Sequence, residues 1–236
     1  MTSTAGTPGT PETSDEVREA YETAARSFYD TVAAEYDARF GDGAAALPME
    51  RAILGVFAEQ VRADGGGAVL EAGSGPGRVT AYVRGLGLDI RGVDLSPVMV
   101  ATARRLHPGL RFDVGSLTRL DVPDGGLAGL LAWYSLIHVP PRHVPGALAE
   151  FHRVLAPGGH LLLGFQAGEG VKRHEQAFGH DVALDFHRMS PERTGAALDA
   201  AGFDVTATVV RAPVGDEPVP QAYLLARRRT GTPAGR

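Results

Sequence analysis

"VLEAGSGPGRVT", residues 69–80, sets Gly73, Gly75 and Gly77 at every second position behind the acidic Glu71. Just ahead, "AVLEAG" is a short apolar run. Just behind, "GRVTAYVRGLG" repeats its apolar residues at helical spacing, so the stretch reads as strand, tight turn and helix. Glycines in such a turn let backbone amides come close to a bound group at the strand end and helix N-terminus. The turn itself also asks for glycine, so a second signal is needed. Asp94 supplies one. It closes the next strand-like run, "DIRGVDL", where a carboxylate accepts hydrogen bonds from both hydroxyls of a ribose.

The same alternation continues outward. Strand-like "RFDVGS", "GLLAWYS" and "GHLLLGFQ" are separated by the helical patterns "SPVMVATARRL" and "RHVPGALAEFHRVL". Strands alternating with helices imply right-handed parallel crossovers. The predicted fold is therefore an α/β, Rossmann-like, doubly wound and mostly parallel sheet, with its ligand at the carboxyl ends of the strands. "DVTATVVRAP" and "QAYLLARRR", joined by a Pro-rich loop, read as a C-terminal antiparallel hairpin on the sheet edge.

Upstream, residues 15–64 form a helical cap. Val17, Tyr21, Phe28, Val32 and Tyr36 keep helical spacing in one long helix or two short ones; "GDGAAALP" breaks the pattern and Pro48 opens a further helix. Residues 1–14 bury too little apolar surface to offset ordering and are expected to be disordered, leaving one domain over 15–229 and a flexible tail over 230–236.

Composition narrows the chemistry. The chain has 236 residues and no cysteine, which excludes disulfides, cysteine-ligated metals and a thiol nucleophile. A net charge of −5 points away from a nucleic-acid partner. No apolar run reaches the roughly 18 residues of a membrane span, and the opening residues lack a signal peptide's basic and apolar parts, so a cytoplasmic monomer or homodimer without a membrane partner is expected. His174, His180 and His187 interleave with Glu175, Asp181 and Asp185 without a fixed short spacing, and no metal site is expected.

The loop's details choose among nucleoside cofactors. A dinucleotide fingerprint would place its third small residue at Arg78, which is too large for that packing. Glu71 would repel a pyrophosphate but suits an ammonium. S-adenosylmethionine carries an ammonium and a ribose and no phosphate. At this point the sequence resembles the class I S-adenosylmethionine-dependent methyltransferases, small-molecule branch, through "FYDTVAAEYD", "VLEAGSGPGR", "IRGVDLSPVMVATARR", "VGSLTRLDVPDGGLAGLLAWYSLIHVPP" and "FHRVLAPGGHLLLGFQ". The resemblance implies that Glu71 faces the methionine ammonium, that Gly73, Gly75 and Gly77 shape the floor, and that Asp94 binds the ribose. It further implies that Ser116 replaces an aspartate at the adenine amino group and that Leu95 and Leu117 wall the adenine slot. It brings Tyr29 and Tyr36 over the cofactor from the N-terminal side. Trp133 reads equally as core or as a wall beside the reactive methyl.

The acceptor is expected to be a small molecule, methylated at oxygen, nitrogen or carbon. Phe165 and Gln166 fall at the end of the fifth strand. The insertion over 168–189 reads as a substrate wall, with His180, Asp185 and His187 as acceptor contacts beside Tyr36 and Tyr134. If a base is needed, His180, His138 and Tyr29 are the candidates. Two alternatives stay open: an NAD-dependent oxidoreductase, and a cofactor-binding protein of this fold without catalysis.

Overall fold

Strand β1 (Ala68–Ala72) lies at the middle of the sheet, in parallel register with β2 (Asp89–Asp94) on one side and β4 (Leu127–Trp133) on the other. β3 (Phe112–Val114) pairs in parallel with β2, and β5 (Leu155–Gln166) with β4. β9 (Gln221–Arg228) then runs antiparallel to β5, and β8 (Phe203–Arg211) antiparallel to β9, giving the order β3-β2-β1-β4-β5-β9-β8. This is the expected doubly wound sheet with its antiparallel hairpin. The computed structural model describes residues 14–39 and 47–231.

Alternation along the strands feeds two cores. Val69 of β1 joins Leu54, Phe57, Leu131 and Tyr223 beneath α2 (Pro48–Ala63) and α3 (Arg78–Gly85). Leu70, its neighbour, joins Leu130, Phe151, Leu161 and Phe203 on the face carrying α5 (Val144–Val154) and α6 (Pro191–Ala200). Successive side chains of a strand point to opposite faces, so a central strand covered on both sides is apolar almost throughout. Helix α4 (Pro97–Leu106) starts at Ser96, whose Oγ accepts from Met99 N at 3.0 Å as an N-cap.

The N-terminal region forms one helix, α1 (Ser14–Arg39), which decides between the two readings of that pattern. Its first residue is Ser14, which the sequence reading assigns to the tail. Residues 1–13, 40–46 and 232–236, which hold most of the expected tails (1–14 and 230–236) and of the "GDGAAALP" break, lie outside the described residues. The insertion is a separate hairpin, β6 (Val171–Ala177) with β7 (His180–His187), closed by Phe178 and Gly179 at φ 54° and 86°. Phe28 and Val32 of α1 bury their side chains against Leu184 of β7. No helix among the described residues is long and apolar enough to cross a membrane.

Candidate functional site

The strand order reverses between β1 and β4, so the loops leaving these two strands diverge and open a crevice at their carboxyl ends. A cavity lies there, with about 790 Å³ of empty space when the solvent at its mouth is included. Its floor is the glycine loop. Gly73, at φ 80°, sits so near Ser135 that a Cβ would fall 2.2 Å from the Ser135 Cβ. Gly77, at φ 82°, meets the Phe112 ring the same way at 2.5 Å, and it caps α3 rather than lining the cavity. Gly75 lines the cavity with nothing within 4 Å of a hypothetical Cβ, so its backbone is open to a ligand.

Asp94 fixes this loop. Its Oδ2 accepts from Gly75 N at 2.7 Å and its Oδ1 from Ser96 N at 2.9 Å. Burial raises its pKa, and those backbone amides pull it back down. Each oxygen keeps a lone pair for a ligand hydroxyl. Glu71 is 2% exposed and lies outside the cavity lining, with Thr80 Oγ1 donating to its Oε2 at 2.5 Å. Burial, with the Asp94 charge adding to it, pushes the Glu71 carboxyl up to about 8.

The cavity continues past Leu95, Ser116 and Leu117 at one end and past Trp133, Tyr134 and His138 at the other. Trp133 lines the cavity and also stacks on the buried Tyr223 at 5.1 Å. Tyr134 is held at φ 56°, a conformation rare for a non-glycine residue, and its hydroxyl lies 3.1 Å from that of Tyr223. Tyr223 Oη in turn donates to Glu50 Oε1 at 3.0 Å, and Glu50 pairs with Arg211 in the buried layer below.

Helix α1 forms the remaining wall through Tyr21, Glu22, Ala25, Tyr29 and Tyr36. Tyr29 Oη lies 2.7 Å from His138 Nε2. Burial drives the His138 pKa down to about 4, so the imidazole is neutral; burial likewise holds the Tyr29 phenol well above its ordinary value. The phenol therefore donates to Nε2, which assigns the imidazole proton to Nδ1.

Several predicted acceptor residues are not at this cavity. Phe165 is fully buried in the core, and Gln166 pairs with Gln221 in the sheet. His180 faces Glu35 of α1 at 3.3 Å, Asp185 pairs with Arg173 at 3.0 Å, and His187 is buried on β7. The reason is physical: α1 itself forms that wall, and the hairpin packs on α1. Phe186 of the hairpin contacts a lining residue without lining the cavity itself, its ring 4.7 Å from that of His138. Among the described residues there is no group of three or more His, Asp or Glu able to hold a metal.

Sequence reasoning missed Glu22, Asp30, Thr118 and Ser135. Ser135 Oγ donates to Ala72 O at 2.6 Å, and Ser96 Oγ donates to Asp30 Oδ1 at 2.5 Å, tying α1 to the start of α4. Glu22 had one available signal, since it precedes Tyr29 and Tyr36 at the same seven-residue spacing.

Residues 69–159 match the family model described as "Methyltransferase domain". A curated relative, the demethylmenaquinone methyltransferase of Beutenbergia cavernae, is 33% identical over 135 residues, covering 57% of this chain and 55% of the relative. The chain spans little more than half the length of the first curated relatives it matches. Among solved structures, the Burkholderia thailandensis 1,6-didemethyltoxoflavin-N1-methyltransferase, with its substrate and S-adenosylhomocysteine bound, superposes with TM-score 0.69 at 23% identity over 94% of this chain and 93% of that one. The [4+2]-cyclase SpnF superposes with TM-score 0.67 at 20% identity over 88% of this chain and 96% of that one. At these identities the solved structures establish the fold alone. The fold is thus that of the class I S-adenosylmethionine-dependent methyltransferases, and residues 69–159 carry the similarity to a methyltransferase domain.

Proposed function

We propose that the protein transfers a methyl group from S-adenosylmethionine to a small, largely apolar acceptor. The observation that carries this reading is one continuous cavity. It joins a carboxylate and glycine floor suited to an amino acid nucleoside, at Asp94 and Gly75, to the Tyr29–His138 pair. When bound, S-adenosylmethionine supplies a methyl carbon already activated by the sulfonium, so the protein's task is mainly positioning and exclusion of water. Asp94 would hold the ribose hydroxyls, and Glu71, from below the loop, would balance the ammonium. Tyr29, Tyr36, Trp133 and Tyr134 would form a dry aromatic wall around the acceptor.

The Tyr29–His138 pair gives the acceptor's proton a destination. Tyr29 Oη, which donates to His138 Nε2, accepts from an acceptor hydroxyl or amine; as that proton reaches Oη, the phenolic proton passes to Nε2. This role fits oxygen or nitrogen methylation. His180, which is paired with Glu35, takes no part. The acidic charge and the aromatic wall favour a small-molecule acceptor over a nucleic acid. We place the protein in the cytoplasm as a monomer or homodimer. NAD chemistry is disfavoured by Arg78, the first residue of α3, where a dinucleotide loop needs a small side chain.

The test is calorimetry with S-adenosylhomocysteine and NADH, followed by transfer of labelled methyl groups to a panel of aromatic and quinoid acceptors. Heat with NADH but none with S-adenosylhomocysteine would falsify the reading. The SpnF likeness makes the transfer assay necessary, because cofactor binding alone does not establish methylation.

A further inference from the structure

We propose that Glu22, on helix α1, supplies the carboxylate that reads the adenine amino group of the cofactor. This inference rests on the cofactor reading above. The sheet side of the adenine slot lacks an acid, having Ser116 and Thr118 where the loop after β3 meets the cavity. Both hydroxyls are already directed elsewhere. Ser116 Oγ and Thr118 Oγ1 donate to Glu22 Oε1 at 2.6 and 2.7 Å, and Ser116 Oγ also accepts from Thr118 N at 3.1 Å. They hold the carboxylate rather than face a ligand.

A carboxylate fixed by two hydroxyl donors keeps further lone pairs, which fit a group that only donates. An exocyclic amine is such a group, and a carbonyl at the same position is repelled. Position supports the assignment. The base attached to a ribose at Asp94 lies toward the loop that follows the neighbouring strand β3, between Leu95 and Leu117, and Glu22 closes that end. Specificity for the base is thereby carried by the N-terminal helix across 94 residues of chain, so binding the cofactor also fastens α1.

The experiment compares binding of S-adenosylhomocysteine with that of its 6-oxo (hypoxanthine) analogue by calorimetry, in wild type, Glu22→Gln and Glu22→Ala. Wild type is expected to prefer the adenine ligand by about 10- to 100-fold, the range for a hydrogen bond to a charged group. Glu22→Gln, whose amide both donates and accepts, narrows that preference to about threefold or less, and Glu22→Ala weakens the adenine ligand while the 6-oxo analogue, relieved of the repulsion, binds more tightly. Amide exchange in α1 slows on S-adenosylhomocysteine binding in wild type and less in Glu22→Ala. If Glu22→Ala fails to fold, the near-isosteric Glu22→Gln decides alone. Absence of binding to wild type would remove the cofactor reading and this assignment with it. Normal binding with the same base preference in the variants overturns the assignment only.

Discussion

Replacing Glu71 by Gln separates what the buried carboxyl costs the fold from what it contributes to binding. Glu71 is 2% exposed, and its pKa is raised from the ordinary 4.5 to about 8, first by burial and then by Asp94. The folded chain thus keeps a proton that the unfolded chain releases above about 4.5, so this group's contribution to stability falls as pH rises from about 4.5 to 8 and then levels. At about 1.4 kcal/mol per pH unit the loss at pH 7 is on the order of 3 kcal/mol. Gln cannot ionise and still offers a carbonyl to Thr80 Oγ1, at the cost of one extra buried N–H. The ligand-free variant should therefore be about 1–3 kcal/mol more stable at pH 7–8, a rise of about 3–10 °C in Tm, with the gain shrinking toward pH 5. Binding should move the other way. An ammonium on the loop requires the ionised carboxyl, so wild-type affinity for S-adenosylhomocysteine should rise about tenfold from pH 6 to 7 and level off above 8, while the variant binds weakly at every pH. Thermal melts across pH 5–8, with and without S-adenosylhomocysteine, measure both effects. A ligand-free Glu71→Gln protein that melts at or below wild type at pH 8, or a stability difference that does not shrink with acid, refutes the reasoning.

Asp94→Ala should weaken S-adenosylhomocysteine by about 2–4 kcal/mol with the fold retained, as titration calorimetry and a melt would register together. Tyr29→Phe and His138→Asn should each lower methyl transfer by about 10²- to 10⁴-fold while cofactor affinity holds; equal turnover would show that the pair moves no proton. Because burial depresses the His138 pKa to about 4, its contribution to stability is present above about 6.5 and is lost as pH falls toward 4; His138→Asn should remove that part of the acid sensitivity in a pH series of melts. His180→Ala breaks only a half-exposed pair with Glu35 and should change turnover by less than about threefold, a result that steady-state kinetics can contradict directly.

The sheet was legible because its signals are local. "VLEAGSGPGRVT" carries a strand, a turn and a helix in twelve residues, and the period changes from 2 to 3.6 at each boundary. The glycine loop that floors the cavity was legible for the same reason. The hairpin over 171–187 was not, because β6 is polar and nearly all exposed, so it shows no alternation, and its two-residue turn carries Phe178 where Asn or Asp would announce it. The contacts of α1 were hidden differently. Glu22 with Ser116, Asp30 with Ser96 and Tyr29 with His138 are each 66 to 109 residues apart, and no spacing rule spans such separations. Once the sheet was placed, the seven-residue row Glu22, Tyr29 and Tyr36 was the one local trace of that wall.

The two kinds of wall around the cavity have different freedom to diverge. Gly73 against Ser135, and Gly77 and Gly92 against Phe112, leave no room for even a methyl group, so a change in one loop of the sheet must be answered in another. The wall from α1 is made of side chains projecting from a single helix, and each can be exchanged without moving a backbone. A lineage descending from this protein could therefore acquire new acceptors by point changes at Ala25 or Tyr36, while the floor beneath them passed on unaltered.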